Sequence, residues 1–288
     1  KPVVAIAGLE EGEITPSTVI YGAGQFTEIT PSPTCWIFNQ YGGHHGNETV
    51  VTAIRDSCNY FFYEVGYRLA GGRSLGGYNV EQGLATLEKY ARMFGLGDKS
   101  GLEIAEYDPQ ISDEDAVRSS IGQGTNAFSL SHIGRYVAAL ANRGSVYNLT
   151  LLDRVESADG TLIEENEADL YNQVEIADSS WDAVQQGMML VADDTTSLNA
   201  LSDLGLDVAG KTGTAQQSRS HPNHALFVGY APADNPEIAV AVRIANGYTS
   251  SNTAEVAADI FKYYFNLVDD EEILTGTASG SSGQNIAD

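Results

Sequence analysis

The sequence predicts an α+β fold: helices first, an antiparallel sheet after them, and a helix at the end. Three observations carry that reading. Apolar residues recur at helical spacing through several segments between Val3 and Val191. Three short β-rich runs follow, Val208–Ala215, Ala225–Ala231 and Ile238–Ala245, separated by Gly, Pro and Asn. An amphipathic stretch, Thr253–Leu267, closes the pattern. Helices and strands segregated along a chain mark α+β architecture rather than an alternating α/β one.

Val3–Glu11 is apolar and Ala-containing and ends at Gly12, a helix with a glycine stop. Ile14–Gln40 is rich in Thr, Pro and Gly and reads as an extended or looped connection. Thr49–Arg55 and Tyr60–Ala70 read as two helices interrupted by Asp56-Ser57-Cys58-Asn59. In the second, Phe61, Val65 and Leu69 recur every four residues and mark one apolar face, before Gly71-Gly72 stops it. Val80–Phe94 is helical, with Leu84, Leu87 and Ala91 on one side, and Gly95 and Gly97 close it. Ser129–Ala141 repeats the pattern with Leu130, Ile133, Val137 and Leu140. A polar, acidic stretch precedes a helix expected over Trp181–Val191. Asn235-Pro236 supplies a turn that makes the last two strands a hairpin. There is no internal repeat. Residues 1–267 read as one domain and 268–288 as an acidic, then Gly/Ser-rich tail expected to be disordered.

Hydrophobic residues make up 42% of the 288 and charged residues 19%, a composition that can bury a core. The net charge of -24 repels phosphate backbones and anionic headgroups, which argues against nucleic acid as a partner. Between Val155 and Gly210 there are thirteen acids and no Lys or Arg. No Asp-x-Asp-x-Asp-Gly loop organises them, so they read as a solvated face rather than a calcium site. No run approaches the ~18 apolar residues of a membrane span, and the start does not read as a signal peptide. Any export signal or anchor is therefore expected outside the sequence. Cys35 and Cys58 are too few for a disulfide framework and match no zinc spacing. His44-His45 sits among Gly42, Gly43 and Gly46 and reads as a pair of loop histidines, so no metal centre is expected.

The strongest chemical signal is Lys211-Thr212-Gly213-Thr214-Ala215-Gln216. A lysine within a strand beside Val208-Ala209 costs desolvation unless its charge is used. Glycine inside a strand often marks a place where another backbone comes close. Together they suggest an edge strand along which an extended substrate lies beside a cation; a surface strand with a snorkelling lysine is the plain alternative. Ser57-Cys58-Asn59, between two helices, can aim a hydroxyl and a carboxamide into a cleft, or can simply cap a helix.

The segment Lys1-Pro2 followed by an apolar helix and Leu9-Glu10-Glu11-Gly12 resembles the run after the nucleophile in class B penicillin-binding proteins, where the pattern is Ser-x-x-Lys-Pro. The order Lys1, Ser57-x-Asn59, Lys211-Thr212-Gly213 matches the motif set of penicillin-binding enzymes. Ser120-Ile121-Gly122-Gln123-Gly124 is similar to that family's IGQG loop, and His224–Pro232 with Pro236–Val242 to its closing strands. The resemblance covers nearly the whole chain to about Leu267.

The resemblance implies the transpeptidase fold, a helical lobe beside an antiparallel sheet flanked by helices. It implies serine acyl transfer on D-Ala-D-Ala stem peptides of peptidoglycan, β-lactam inhibition, other cell-wall synthesis proteins as partners, and no metal or organic cofactor. By the same implication Lys1 is general base, Ser57 relays protons and Asn59 holds the substrate amide. Lys211 sets the local field, while Thr212 and Thr214 meet the substrate carboxylate and the Thr214 N–H forms half of the oxyanion hole. The implied serine falls three residues ahead of Lys1, outside the sequence, so the 288 residues alone are expected not to acylate. The implied location is the extracytoplasmic face of the membrane. Carboxypeptidases, β-lactamases and non-catalytic penicillin-binding sensors of the same superfamily remain alternatives, as does an unrelated secreted carbohydrate- or peptide-binding domain.

Overall fold

The computed structural model describes residues 1–194, 198–215 and 221–273. Its first element, α1 (Pro2–Glu10), is apolar nearly all round, with Pro2 and Val4–Gly8 buried, as suits a helix at the centre of a domain. Gly8 lets it approach a neighbour: a Cβ there would lie 2.8 Å from Val65 Cγ1. Gly12, at φ +74°, ends the run in a conformation that favours glycine.

The segment read as an irregular connection holds more structure than expected. It contains β1 (Ile20–Gly22) and α2 (Trp36–Tyr41), and β1 pairs antiparallel with β2 (Gly46–Glu48). The helix α2 escapes a periodicity reading because none of its residues is buried. Next come α3 (Val50–Arg55) and α4 (Asn59–Leu69), broken at the expected residues. Thr49 and Thr52 form a reciprocal capping box on α3, an arrangement worth about 1 kcal/mol. On α4, Phe61, Val65 and Leu69 are all buried, each contributing roughly 1.5–3 kcal/mol.

Asn79 caps α5 (Val80–Met93), accepting from the Glu81 and Gln82 N–H groups. A one-turn helix, α6 (Ala116–Ser119), leads into the Ser120–Gly124 loop, where the buried Ser120 hydroxyl donates to Phe62 O on α4 at 2.6 Å. Ser129 caps α7 (Leu130–Ala141). The acidic stretch that follows carries small strands too short for an alternation pattern: β3 (Ser145–Tyr147), β4 (Arg154–Glu156), β5 (Leu162–Glu165) and β6 (Leu170–Gln173). They pair β3 with β6 and β4 with β5. The helix α8 (Asp178–Asp194) is longer than expected, and α9 (Asn199–Ser202) follows it.

The main sheet has the order β7 (Ala209–Ala215), β8 (His224–Ala231), β9 (Ile238–Ile244), all antiparallel. The β7–β8 register sets Lys211 opposite Val228, Gly213 opposite Leu226 and Thr214 opposite Ala225. Helix α8 packs on β7, α7 on β8 and β9, and α10 (Ser250–Tyr264) on all three strands. A short α11 (Asp270–Ile273) lies within the expected tail. Gln216 of the predicted strand and residues 274–288 of that tail lie outside the described residues.

Candidate active site

Lys1 occupies the N-cap position of α1, so the packing of that buried helix fixes where its side chain starts. The close α1–α4 crossing at Gly8 and Val65 sets α1 beside the helix that begins at Asn59. The Lys1 amine donates to Ser57 Oγ at 2.7 Å, to Asn59 Oδ1 at 2.7 Å and to Ser57 O at 2.9 Å. These three acceptors match the three N–H bonds of an ammonium. Burial pulls the amine down from 10.5 to about 8, with the charges of Cys35 and Cys58 partly opposing the shift. An amine that gives up its proton near neutrality while bonded to a hydroxyl can serve as a general base or proton relay.

The turn presenting Ser57 is conformationally costly. Ser57 sits at φ +53°, a region that non-glycine residues seldom occupy. Contacts on both sides hold it there. Trp36 Nε1 donates to Asp56 O at 3.1 Å, and the Asn59 N–H donates to Cys35 Sγ at 3.2 Å. Strain of this kind persists only where the surroundings over-determine it.

Lys211 is 6% exposed, and its amine donates to Thr212 O at 3.2 Å and lies 3.4 Å from Thr212 Oγ1. The hydroxyl of Thr214 is buried and has no hydrogen-bond partner among the described residues. A buried orphan of this type is costly and is naturally satisfied by a ligand. Gly213 lies opposite Leu226, on the same face of the sheet, and a Cβ on it would meet Leu226 Cβ at 3.3 Å. That face looks into a cavity of about 560 Å³ bounded by Lys1, Leu130, Ile133, Tyr136, Ala215 and Leu226. Ser57, Asn59 and Lys211 do not line this cavity. Among the described residues β7 pairs only with β8, so its other edge is open.

The sequence reading singles out Lys1, Ser57, Asn59, Lys211, Thr212, Gly213 and Thr214. The structure bonds the first three directly and sets the other four along one edge strand. Residues 1–264 match the family described as the penicillin binding protein transpeptidase domain. The chain belongs to this family. It is 29% identical to the peptidoglycan D,D-transpeptidase MrdA of Haemophilus influenzae, over 92% of this chain and 43% of that protein. Among solved structures, Pseudomonas aeruginosa PBP2 in complex with WCK 5153 superposes with a TM-score of 0.76 at 27% identity, covering 93% of this chain and 60% of that one. Penicillin-binding protein 2B of Streptococcus pneumoniae shares the fold, with a TM-score of 0.78 at 24% identity, covering 92% and 46%. The fold is thus that of penicillin-binding transpeptidase domains, and the chain spans under half the length of the curated relatives it matches.

One cluster in this transpeptidase domain escaped the sequence reading. The sulfurs of Cys35 and Cys58 and a ring nitrogen of His45 lie within 4.8 Å of one another. A hydrogen bond from Cys58 holds the Cys35 thiol below its usual range, while that bond and burial push the Cys58 thiol up. The intervals of nine and twelve residues between these groups match no local ligand pattern, so only the fold brings them together.

Proposed function

We propose that the protein is a serine D,D-transpeptidase that cross-links peptidoglycan stem peptides. The observation that carries this reading is the Lys1 amine, bonded at 2.7 Å to both Ser57 Oγ and Asn59 Oδ1. In the Ser-x-x-Lys pattern the nucleophile stands three positions ahead of Lys1. Its hydroxyl attacks the carbonyl between the two D-alanines, passing its proton to the Lys1 amine, and the terminal D-alanine leaves with a proton relayed through Ser57. An amine of a neighbouring stem peptide then attacks the ester and restores the serine. Asn59 holds the substrate amide. Lys211 supplies positive field, and Thr212 and Thr214 meet the terminal carboxylate. The Thr214 N–H donates to the oxyanion, a bond of the kind worth about 3 kcal/mol of barrier. The orphaned Thr214 hydroxyl and the open β7 edge support this docking.

The substrates are stem peptides ending in D-Ala-D-Ala, with β-lactams as covalent mimics and other cell-wall synthesis proteins as partners. The site lies on the extracytoplasmic face of a bacterial membrane, with the anchor outside residues 1–288. Among the described residues no helix is long and apolar enough to cross a membrane. The name of the Haemophilus relative, a peptidoglycan D,D-transpeptidase, supports the reaction class.

The test is acylation of the full-length protein by a fluorescent penicillin, with the adduct mapped by mass spectrometry, then turnover of a D-Ala-D-Ala donor with and without a D-amino acid acceptor. The expected result is an adduct on the serine before Lys1 and an exchanged product. Absence of any adduct overturns the catalytic reading. Hydrolysis indifferent to the acceptor assigns a carboxypeptidase or β-lactamase instead.

A further inference from the structure

We propose that Glu10 is a positioning residue for acyl transfer, clamping the helix that carries Lys1 to the helix that backs β7. The inference rests on the transpeptidase reading. Glu10 is the last residue of α1, roughly 13 Å along the axis from Lys1 at the other end. Its Oε1 accepts the Ala177 N–H at 3.2 Å and the Ser180 hydroxyl at 2.5 Å.

These bonds complete a cap that α8 cannot make alone. The Ser180 and Trp181 N–H groups both donate to Ala177 O, which marks Ala177 as the residue where α8 begins. In a capping box the residue at that position and the one three further on bond reciprocally through their side chains. Alanine has no side-chain oxygen to offer. Glu10 bridges the two positions instead, from a different helix, and its negative charge suits the start of a 17-residue helix. Ser180 is buried, so losing Glu10 would strand its hydroxyl.

Helix α8 touches all three elements that carry or lead to site residues: α1, α3 and β7. At Gly187 a Cβ would lie 2.8 Å from Ile54 Cβ and 3.0 Å from Val51 O, so α8 and α3 cross almost backbone to backbone. Helix α3 runs into the Ser57 turn, and β7 holds Lys211 to Thr214. Lys1 reaches Ser57 and Asn59 through its own hydrogen bonds, whereas β7 meets α1 by way of α8. The clamp therefore sets the distance between the base and the docking edge, where an error of about 1 Å can cost ~100-fold in rate. Glu11 supplies a built-in comparison. It accepts from Lys89 at 2.7 Å and Tyr90 at 2.9 Å, both on α5, which carries no site residue.

The test uses the full-length protein and benzylpenicillin, with stopped-flow separating the affinity of the first complex from the acylation step. Glu10→Ala should slow that step at least ~10-fold and change the affinity less than about twofold, because β7 itself is intact. Glu10→Gln keeps the accepting oxygen and should stay within about threefold of the parent. Glu11→Ala, which loses an exposed pair, should stay within about twofold. Ser180→Ala cuts the same bond from the other side, so adding it to Glu10→Ala should cost little more. Should Glu10→Ala fail to fold, Ser180→Ala carries the test, with a loss in the same step expected. Hydrogen exchange reads the clamp without penicillin: Glu10→Ala should speed it at least ~10-fold in the first turn of α8 and along β7, and Glu11→Ala in neither. A parent that forms no adduct removes the transpeptidase reading, and unchanged exchange in Glu10→Ala removes the clamp. A Glu10→Ala protein that melts lower yet acylates at the parental rate makes Glu10 a mere brace and overturns the proposal. Equal losses from Glu10→Ala and Glu11→Ala overturn it too.

Discussion

The Lys1 amine and the Ser57 hydroxyl, 56 residues apart in the chain, lie 2.7 Å apart. As an ammonium, Lys1 spends all three N–H bonds on Ser57 and Asn59, and it can accept a proton only after losing one. With its proton released near pH 8, the base form grows as pH rises toward that value. Acylation of the full-length protein should therefore accelerate about tenfold per pH unit well below 8 and level off above it. Lys1→Arg, which keeps its proton throughout, should remove the rise and slow the reaction at least ~100-fold. Rates measured with a fluorescent penicillin across this range check it. A flat profile in the parent would assign the base elsewhere.

Gly213 tests the docking edge. A valine places its Cβ about where Leu226 Cβ is met at 3.3 Å and projects methyl groups from the face of β7 that borders the cavity. The φ of Gly213 is not in the positive region, so the backbone tolerates the change. Gly213→Val should cost little in thermal stability, the Leu226 side chain giving way. It should acylate at least ~100-fold more slowly, a barrier increase of about 2.7 kcal/mol. Equal rates in parent and variant would show that no substrate runs along β7.

Lys211 poses a choice between use and burden. It is nearly buried on β7, a position that costs desolvation. Lys211→Ala should slow acylation by at least ~100-fold while moving the melting temperature by only a few degrees. A higher melting point with an unchanged rate would make this lysine a structural liability rather than part of the site.

The acidic stretch should be silent. Glu164 and Glu165 lie on β5, which is exposed along its whole length, and Glu167 is exposed beside it. Changing all three to Gln should leave the acylation rate within about twofold, as expected of surface positions away from the chemistry. A tenfold loss would reveal a role for this hairpin.

The helices that could be read in advance are those with wide apolar faces and polar caps. Phe61, Val65 and Leu69 on α4, or Ser129 ahead of α7, announce themselves because burial and capping act within one or two turns. The small strands β1 to β6 could not be read, since three or four residues hold no alternation and, outside the β4–β5 hairpin, their stability comes from distant pairing. The site divides the same way. Lys211, Gly213 and the Ser57–Asn59 turn carry local oddities that invite a functional reading. Cys35, His45 and Cys58 carry none, since their meeting depends on how α2, the β2 loop and α4 fold over one another.

The open edge of β7 also bears on the protein's behaviour in concentrated solution. An edge strand that pairs on one side only, as β7 does among the described residues, can accept any extended chain. Under the proposed function its selectivity comes from what flanks it, a nearly buried cation at Lys211 and a wall at Leu226 beside Gly213. A substitution that erased the cation while keeping the edge would leave an adhesive strand without its discriminator, so lost activity and self-association would arise together.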